Sequence, residues 1–192
     1  MTTAVKERLG KANGGGCLTG RRETKEMKEL AALCGACAWE PEPMIRRAKA
    51  VLLCYRKPVW ASVCQQDPSL QTELSGHLRA YLGAVRMPDA DDRSVSEAVH
   101  ALSALGLLDP MVDRTLSRMA MQAGDMGGTY YELLTRTYTG SRSASEYTLT
   151  DRAGLSRSQM YVRKKEAVLC FGLVFLRETV PQTIREISSE DA

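Results

Sequence analysis

The chain has 192 residues, a formal net charge of +3, and 44% hydrophobic side chains. That apolar share is enough for a packed core and excludes a globally disordered chain, and the length admits one large domain or two small ones. The small net charge excludes a generally basic protein, yet its distribution is uneven: residues 1–60 hold 12 basic and 6 acidic side chains, 61–135 hold 5 and 10, and 136–192 hold 9 and 7.

Aromatic residues are only 6% of the chain, so the core must be built from Leu, Ala, Val and Met. Alternating β-branched runs are scarce, which predicts an all-α fold. Met1 to Gly20 is polar and glycine-rich, with Gly14, Gly15 and Gly16 together, and reads as a mobile tail. It lacks the apolar core of a signal peptide, and a cytoplasmic location is expected. The longest apolar run, Ala167 to Leu176, is too short to span a bilayer.

A first helix is expected from about Arg22, with Met27, Leu30, Ala31, Leu33 and Cys34 as its apolar stripe. Pro41-Glu42-Pro43 separates it from a second helix starting at Pro43, with Ile45, Ala48, Leu52 and Tyr55 facing inward. Arg46, Arg47, Lys49, Arg56 and Lys57 form a basic cluster there, read as a solvated outer face rather than a phosphate surface. Pro58 is expected to kink or break that helix. Asp67-Pro68 starts the next, which carries Leu70, Leu74, Leu78, Tyr81, Leu82 and Val85.

Met87 to Arg93, acidic and containing Pro88, is the expected boundary between a helical region at 21–88 and a C-terminal domain at 89–192. Ser94 and Glu97 have capping-box spacing before the stripe Val95, Val99, Leu102 and Leu105. Asp109-Pro110 repeats the helix-start signal ahead of Val112, Leu116, Met119 and Ala123. A loop at Gly124 to Gly128 follows. Val180-Pro181 is expected to end the last helix and leave an acidic, frayed tail.

Enzyme chemistry has little support in the chain. The glycines at 14–16 lack the strand before them and the Lys-Ser/Thr after them that a phosphate loop needs. His77 and His100 are isolated, and Asp89, Asp91 and Asp92 read as solvated acids. Among Cys17, Cys34, Cys37, Cys54, Cys64 and Cys170, only Cys34-Gly-Ala-Cys37 has metal or redox spacing. It has no second close pair and sits in an apolar pattern, so the core is favoured over metal or redox use. No cofactor and no metal site are expected.

The most informative stretch is Glu146 to Lys165, within which 142–165 carries 6 basic and 2 acidic residues. Leu149 and Ala153 are four apart, Gly154 suits a left-handed corner, and Leu155 can plug the angle between two helices. Ser156 and Gln159 then have capping-box spacing. From Ser156 onward Met160, Ala167, Val168 and Phe171 share one face. Arg157, Ser158, Tyr161, Val162 and Lys165 share the other. A short basic face rich in hydrogen-bond donors suits a helix lying in the DNA major groove.

These residues, with Tyr130, Tyr131, Leu134 and Tyr138 on a preceding helix, resemble the region-four helix-turn-helix of sigma factors. The likeness is strongest to small sigma-like regulators of bacterial phages and mobile elements, the ArpU-type late regulators, and covers roughly residues 129–176. Thr150 departs from the small apolar residue usual in the first helix, and Arg142 to Ser145 replace the usual acidic approach. The resemblance implies an all-α protein with a C-terminal helix-turn-helix at about 146–165, acting as a transcription regulator on double-stranded DNA, with a possible contact to RNA polymerase. The DNA-binding residues it and the helix face suggest are Ser156, Arg157, Ser158, Gln159, Tyr161, Val162, Arg163, Lys164 and Lys165. The rival reading is a helical adaptor or assembly protein whose hairpin binds protein.

Overall fold

A computed structural model describes residues 23–55, 68–139 and 156–190, and every element among them is helical. They are α1 (Lys25–Ala36), α2 (Pro41–Cys54), α3 (Pro68–Arg86), α4 (Asp92–Ala104), α5 (Leu108–Gln122), α6 (Gly127–Leu134), α7 (Arg157–Val174) and α8 (Val180–Glu190). The expected tail at Met1–Gly20, the break at Pro58, Asp67, Cys17, Cys64 and the first helix and corner at Glu146–Leu155 lie outside the described residues.

Helix α7 is the centre of the packing and touches α1, α2, α5 and α6. Its second half is apolar all round, and Ala167, Val168, Leu169 and Phe171 have no solvent exposure. Phe171 stacks on Phe175 with centroids 5.6 Å apart. Burying side chains of that size contributes roughly 1.5–3 kcal/mol each. Gly172 lets α2 approach: a Cβ there would stand 2.9 Å from Met44 Sδ and 3.1 Å from Ala48 Cβ. By length and composition alone the continuous helical stretch Arg157–Ser189 could cross a membrane, but 67% of its apolar window is buried inside the fold.

The inner faces expected for α2 and α4 are observed, with Ile45, Ala48, Leu52, Tyr55, Val95, Val99 and Leu102 all buried. In α3, Leu78, Leu82 and Val85 are buried, while Leu70 and Leu74 fall outside the described side chains. One core cluster joins α2, α3, α4, α5 and α7, so it runs unbroken across the boundary expected at residue 88. The turn there is clamped. Arg47, only 6% exposed, donates to the carbonyls of Met87, Pro88 (2.8 Å) and Ala90 (2.7 Å).

Several expected ends move. Helix α2 begins at Pro41 rather than Pro43, because proline is tolerated where the first N–H groups have no helical partner. Leu33, expected in the α1 stripe, is 45% exposed. The α4 cap is Asp91, not Ser94: its Oδ1 accepts from Ser94 N at 2.8 Å, and Glu97 pairs with Arg93 instead. The clamped turn delivers Asp91 in extended conformation, which places the cap three residues early. Helix α5 starts at Leu108, ahead of the Asp109-Pro110 signal, because burying Leu108 completely draws the first turn forward.

Pro181 does not end the final helix. A wider π turn at Phe175–Thr179 precedes it, with the Val180 N–H bonding to the Phe175 carbonyl, and α8 continues to Glu190. The π turn absorbs the register change that proline's missing N–H and bulky ring would force on a regular helix. The expected frayed tail is instead docked: Thr183 is buried, and Arg114 on α5 donates to both oxygens of Glu186 at 3.0 Å.

The loop expected at Gly124–Gly128 is a single 3-10 turn, Gly124–Met126, leading directly into α6. Gly127 is required by proximity, since a Cβ would lie 2.5 Å from the Ala120 carbonyl oxygen.

Candidate nucleic-acid interface

The N-terminal half of α7, ahead of Glu166, projects from the core, and its surface differs on each side. Ser156 caps it in extended conformation. Ser156 Oγ accepts from Gln159 N at 3.3 Å, and Ser156 N donates to Gln159 Oε1 at 2.9 Å. Both halves of the expected capping box are therefore present. The first turn carries no acidic residue, so no side chain of that turn compensates the partial positive charge of the helix end.

One sector of the helix faces solvent. Arg157, Gln159 and Lys165 are exposed, Tyr161 is 51% exposed, and Ser158 and Val162 are half-buried beside them. Met160 points the other way and packs with Leu133 of α6, as its spacing predicts. The supporting residues divide likewise: Tyr130 and Leu134 are buried, Tyr138 packs on the core, and Tyr131 is 42% exposed.

The three consecutive basic residues have different surroundings. Lys165 pairs with Glu42 at the start of α2. Lys164 lies over the Tyr138 ring, 5.6 Å from its centroid, a cation–π contact. Arg163 turns inward, where its Nη1 donates to Glu166 Oε2 at 2.8 Å and lies 3.2 Å from Glu26 Oε2.

Glu166 is fully buried, a position that its place after two lysines, in what reads as a charged surface, conceals. Tyr130 donates to its Oε2 at 3.1 Å, and Thr24, the α1 cap, donates to its Oε1. The same Thr24 oxygen accepts from Met27 N at 3.1 Å. One carboxylate thus ties α1, α6 and α7 together. Its hydrogen bond raises the Arg163 pKa, while burial and then Glu166 raise that of Tyr130. Glu26 is held below the usual glutamate value, chiefly by a backbone hydrogen bond and with help from Arg163.

The second basic cluster is split by the fold. Arg47 serves the turn at 87–90, Arg46 pairs with Asp92 at 3.1 Å, Lys49 is exposed, and Arg56 and Lys57 lie outside the described residues. Cys34 is completely buried at the end of α1, and burial pushes its thiol up to about 11. Cys37 is partly exposed, and its N–H closes the helix on the Cys34 carbonyl at 2.9 Å.

Comparison with protein-family models, with curated proteins and with solved structures finds no match to the chain.

Proposed function

We propose that the chain binds double-stranded DNA sequence-specifically, with α7 as the second helix of a sigma region-four-like helix-turn-helix, and acts as a transcription regulator. The observation that carries this reading is the two-sided character of α7. Its rear is locked into the core, while its capped N-terminal end offers Arg157, Gln159 and Tyr161 to solvent. A rigidly held helix end of this kind can insert into a major groove without loss of packing.

In this reading the Ser156 end meets a phosphate, favoured by the helix dipole. Arg157 and Gln159 have the length and donor geometry to reach base edges, with Ser158, Tyr161 and Val162 alongside. Lys164 and Lys165 lie farther along and meet backbone phosphate, Lys165 by exchanging its exposed pairing with Glu42. Such exchange costs little, since exposed ion pairs contribute about 0–1 kcal/mol. A contact with RNA polymerase would follow from the regulator role.

The test is to select a preferred duplex from random sequences and titrate binding against salt. Phosphate-driven binding weakens steeply as salt rises. Arg157→Ala should cost about 1–3 kcal/mol on the selected site and relax its specificity, whereas Lys165→Ala should weaken all duplexes alike and lower the salt slope by about one. If both variants fold and bind as the parent does, α7 is not a reader, and a helical adaptor that binds protein becomes the better description.

A further inference from the structure

Helix α2 packs closely on α7, because Gly172 presents no side chain where Met44 and Ala48 approach. Glu42 stands two residues before Met44 and pairs with Lys165 of α7, 123 positions along the chain. Packing sets this pair, since nothing in the local sequence brings the two together. Glu42 also lies in the first turn of α2, where the helix dipole favours a carboxylate. It is therefore held in place whether or not Lys165 stays with it.

The three consecutive basic residues differ in how readily another anion can take them. Arg163 is shared between the buried Glu166 and Glu26, and its side chain is only 25% exposed. Lys164 lies over the Tyr138 ring. The side chains of Lys165 and Glu42 are 48% and 65% exposed, so water and salt reach the pair and it is open to exchange. Carboxylate and phosphate oxygens offer an ammonium group the same kind of charged acceptor.

We propose that Glu42 is an intramolecular competitor for DNA phosphate, masking Lys165 until a duplex displaces it, a role that rests on α7 reading DNA. Displacement leaves the Glu42 carboxylate close to the phosphate backbone, where it opposes every sequence alike. It also blunts the salt dependence, because the freed carboxylate draws back part of the cations that a phosphate contact releases.

The test is a salt titration of the selected duplex and of an unrelated one with four full-length proteins: the parent, Glu42→Gln, Lys165→Ala and the double variant. Glu42→Gln should bind both duplexes about two- to fivefold tighter at low salt, the range an exposed ion pair can supply. The gain should fade as salt screens the charges. Its salt slope should steepen by less than the roughly one unit of a whole phosphate contact. In the Lys165→Ala background the same substitution should change affinity and slope little. Melting temperatures establish that each variant folds. A parent that binds duplex, with Glu42→Gln indistinguishable from it, overturns the masking and leaves the DNA-binding reading intact. An equal gain in both backgrounds overturns the masking too, since general repulsion would then account for it. A parent without salt-dependent duplex binding removes both.

Discussion

Arg163 on α7 donates to Glu166 one turn later at 2.8 Å, and this pair anchors the helix rather than facing solvent. Around it stand Tyr130 from α6 and Thr24 from the start of α1, both donating to the same carboxylate. Removing the carboxylate by Glu166→Ala leaves three donors facing a cavity. The expected loss is about 2–3 kcal/mol, below the 3–5 kcal/mol of a fully enclosed pair because Arg163 keeps Glu26 and some water. Denaturant midpoints measure it, and a loss under about 0.5 kcal/mol would mean the network is dispensable.

Arg157 and Arg163 are predicted to behave oppositely although both lie in the basic stretch. Arg163→Ala should lower the melting temperature and leave the salt slope of duplex binding unchanged, since its guanidinium is spent inside the fold. Arg157→Ala should leave the melting temperature alone and weaken the selected duplex. Thermal scans and salt titrations on the same samples separate the two.

Ser156 allows stability and recognition to be uncoupled. Ser156→Ala removes the cap and should cost about 1 kcal/mol. Ser156→Asp keeps an acceptor for Gln159 N and suits the helix dipole, so it should hold stability at or above that of the parent. It also places a carboxylate where the phosphate is proposed to sit, and duplex affinity should fall. Retained affinity in a stable Ser156→Asp protein would argue against phosphate at this helix end.

The glycines give a graded test of packing. Gly127→Ala sets a Cβ 2.5 Å from the backbone oxygen of Ala120, which cannot swing aside. Gly172→Ala meets the Met44 thioether at 2.9 Å, a flexible neighbour, and should cost about 1–3 kcal/mol. Gly128 has nothing within 4 Å of such a Cβ, and Gly128→Ala should gain up to about 1 kcal/mol. Chemical denaturation should rank them in that order, with Gly127→Ala least stable.

The docking of α8 predicts a pH dependence. Hydrogen bonding from Arg114 holds the Glu186 carboxyl below the usual glutamate value. A depressed carboxylate contributes stability that is present above its unfolded value, about 4.3, and disappears as pH falls through the lower folded one. Arg114→Met should therefore be less stable than the parent near neutral pH, with the difference closing in acid. Denaturant midpoints measured across that range check it; a gap that stays constant would place its origin outside this pair.

Much of this fold is readable locally. Ser156 and Gln159 form a cap from neighbours alone, and the stripes of α2 and α4 follow from period and hydrophobicity. What was not readable depends on partners far along the chain. Pro181 sits inside a helix because a π turn and the α5 face accommodate it. Asp91 outcompetes Ser94 because Arg47, 40 or more residues earlier, shapes the preceding turn. Glu166 looks like surface charge in sequence, and only the arrival of Thr24 and Tyr130 makes a buried position tolerable. At the candidate interface, the basic run Arg163-Lys164-Lys165 was legible as charge, but its division into anchor, ring contact and ion pair was not.

The hydrogen bond from Thr24 to Glu166 joins residues 142 positions apart. On a ribosome, α1 and α2 therefore emerge long before the helix against which they pack. Until then Met44 and Ala48 have no Gly172 to close upon, and the α1 cap lacks its outer acceptor. Final assembly must wait for a late, distant contact whose loop-closure cost precedes its reward. During that interval the early helices expose apolar faces, so the nascent chain is most vulnerable to aggregation just before α7 is made.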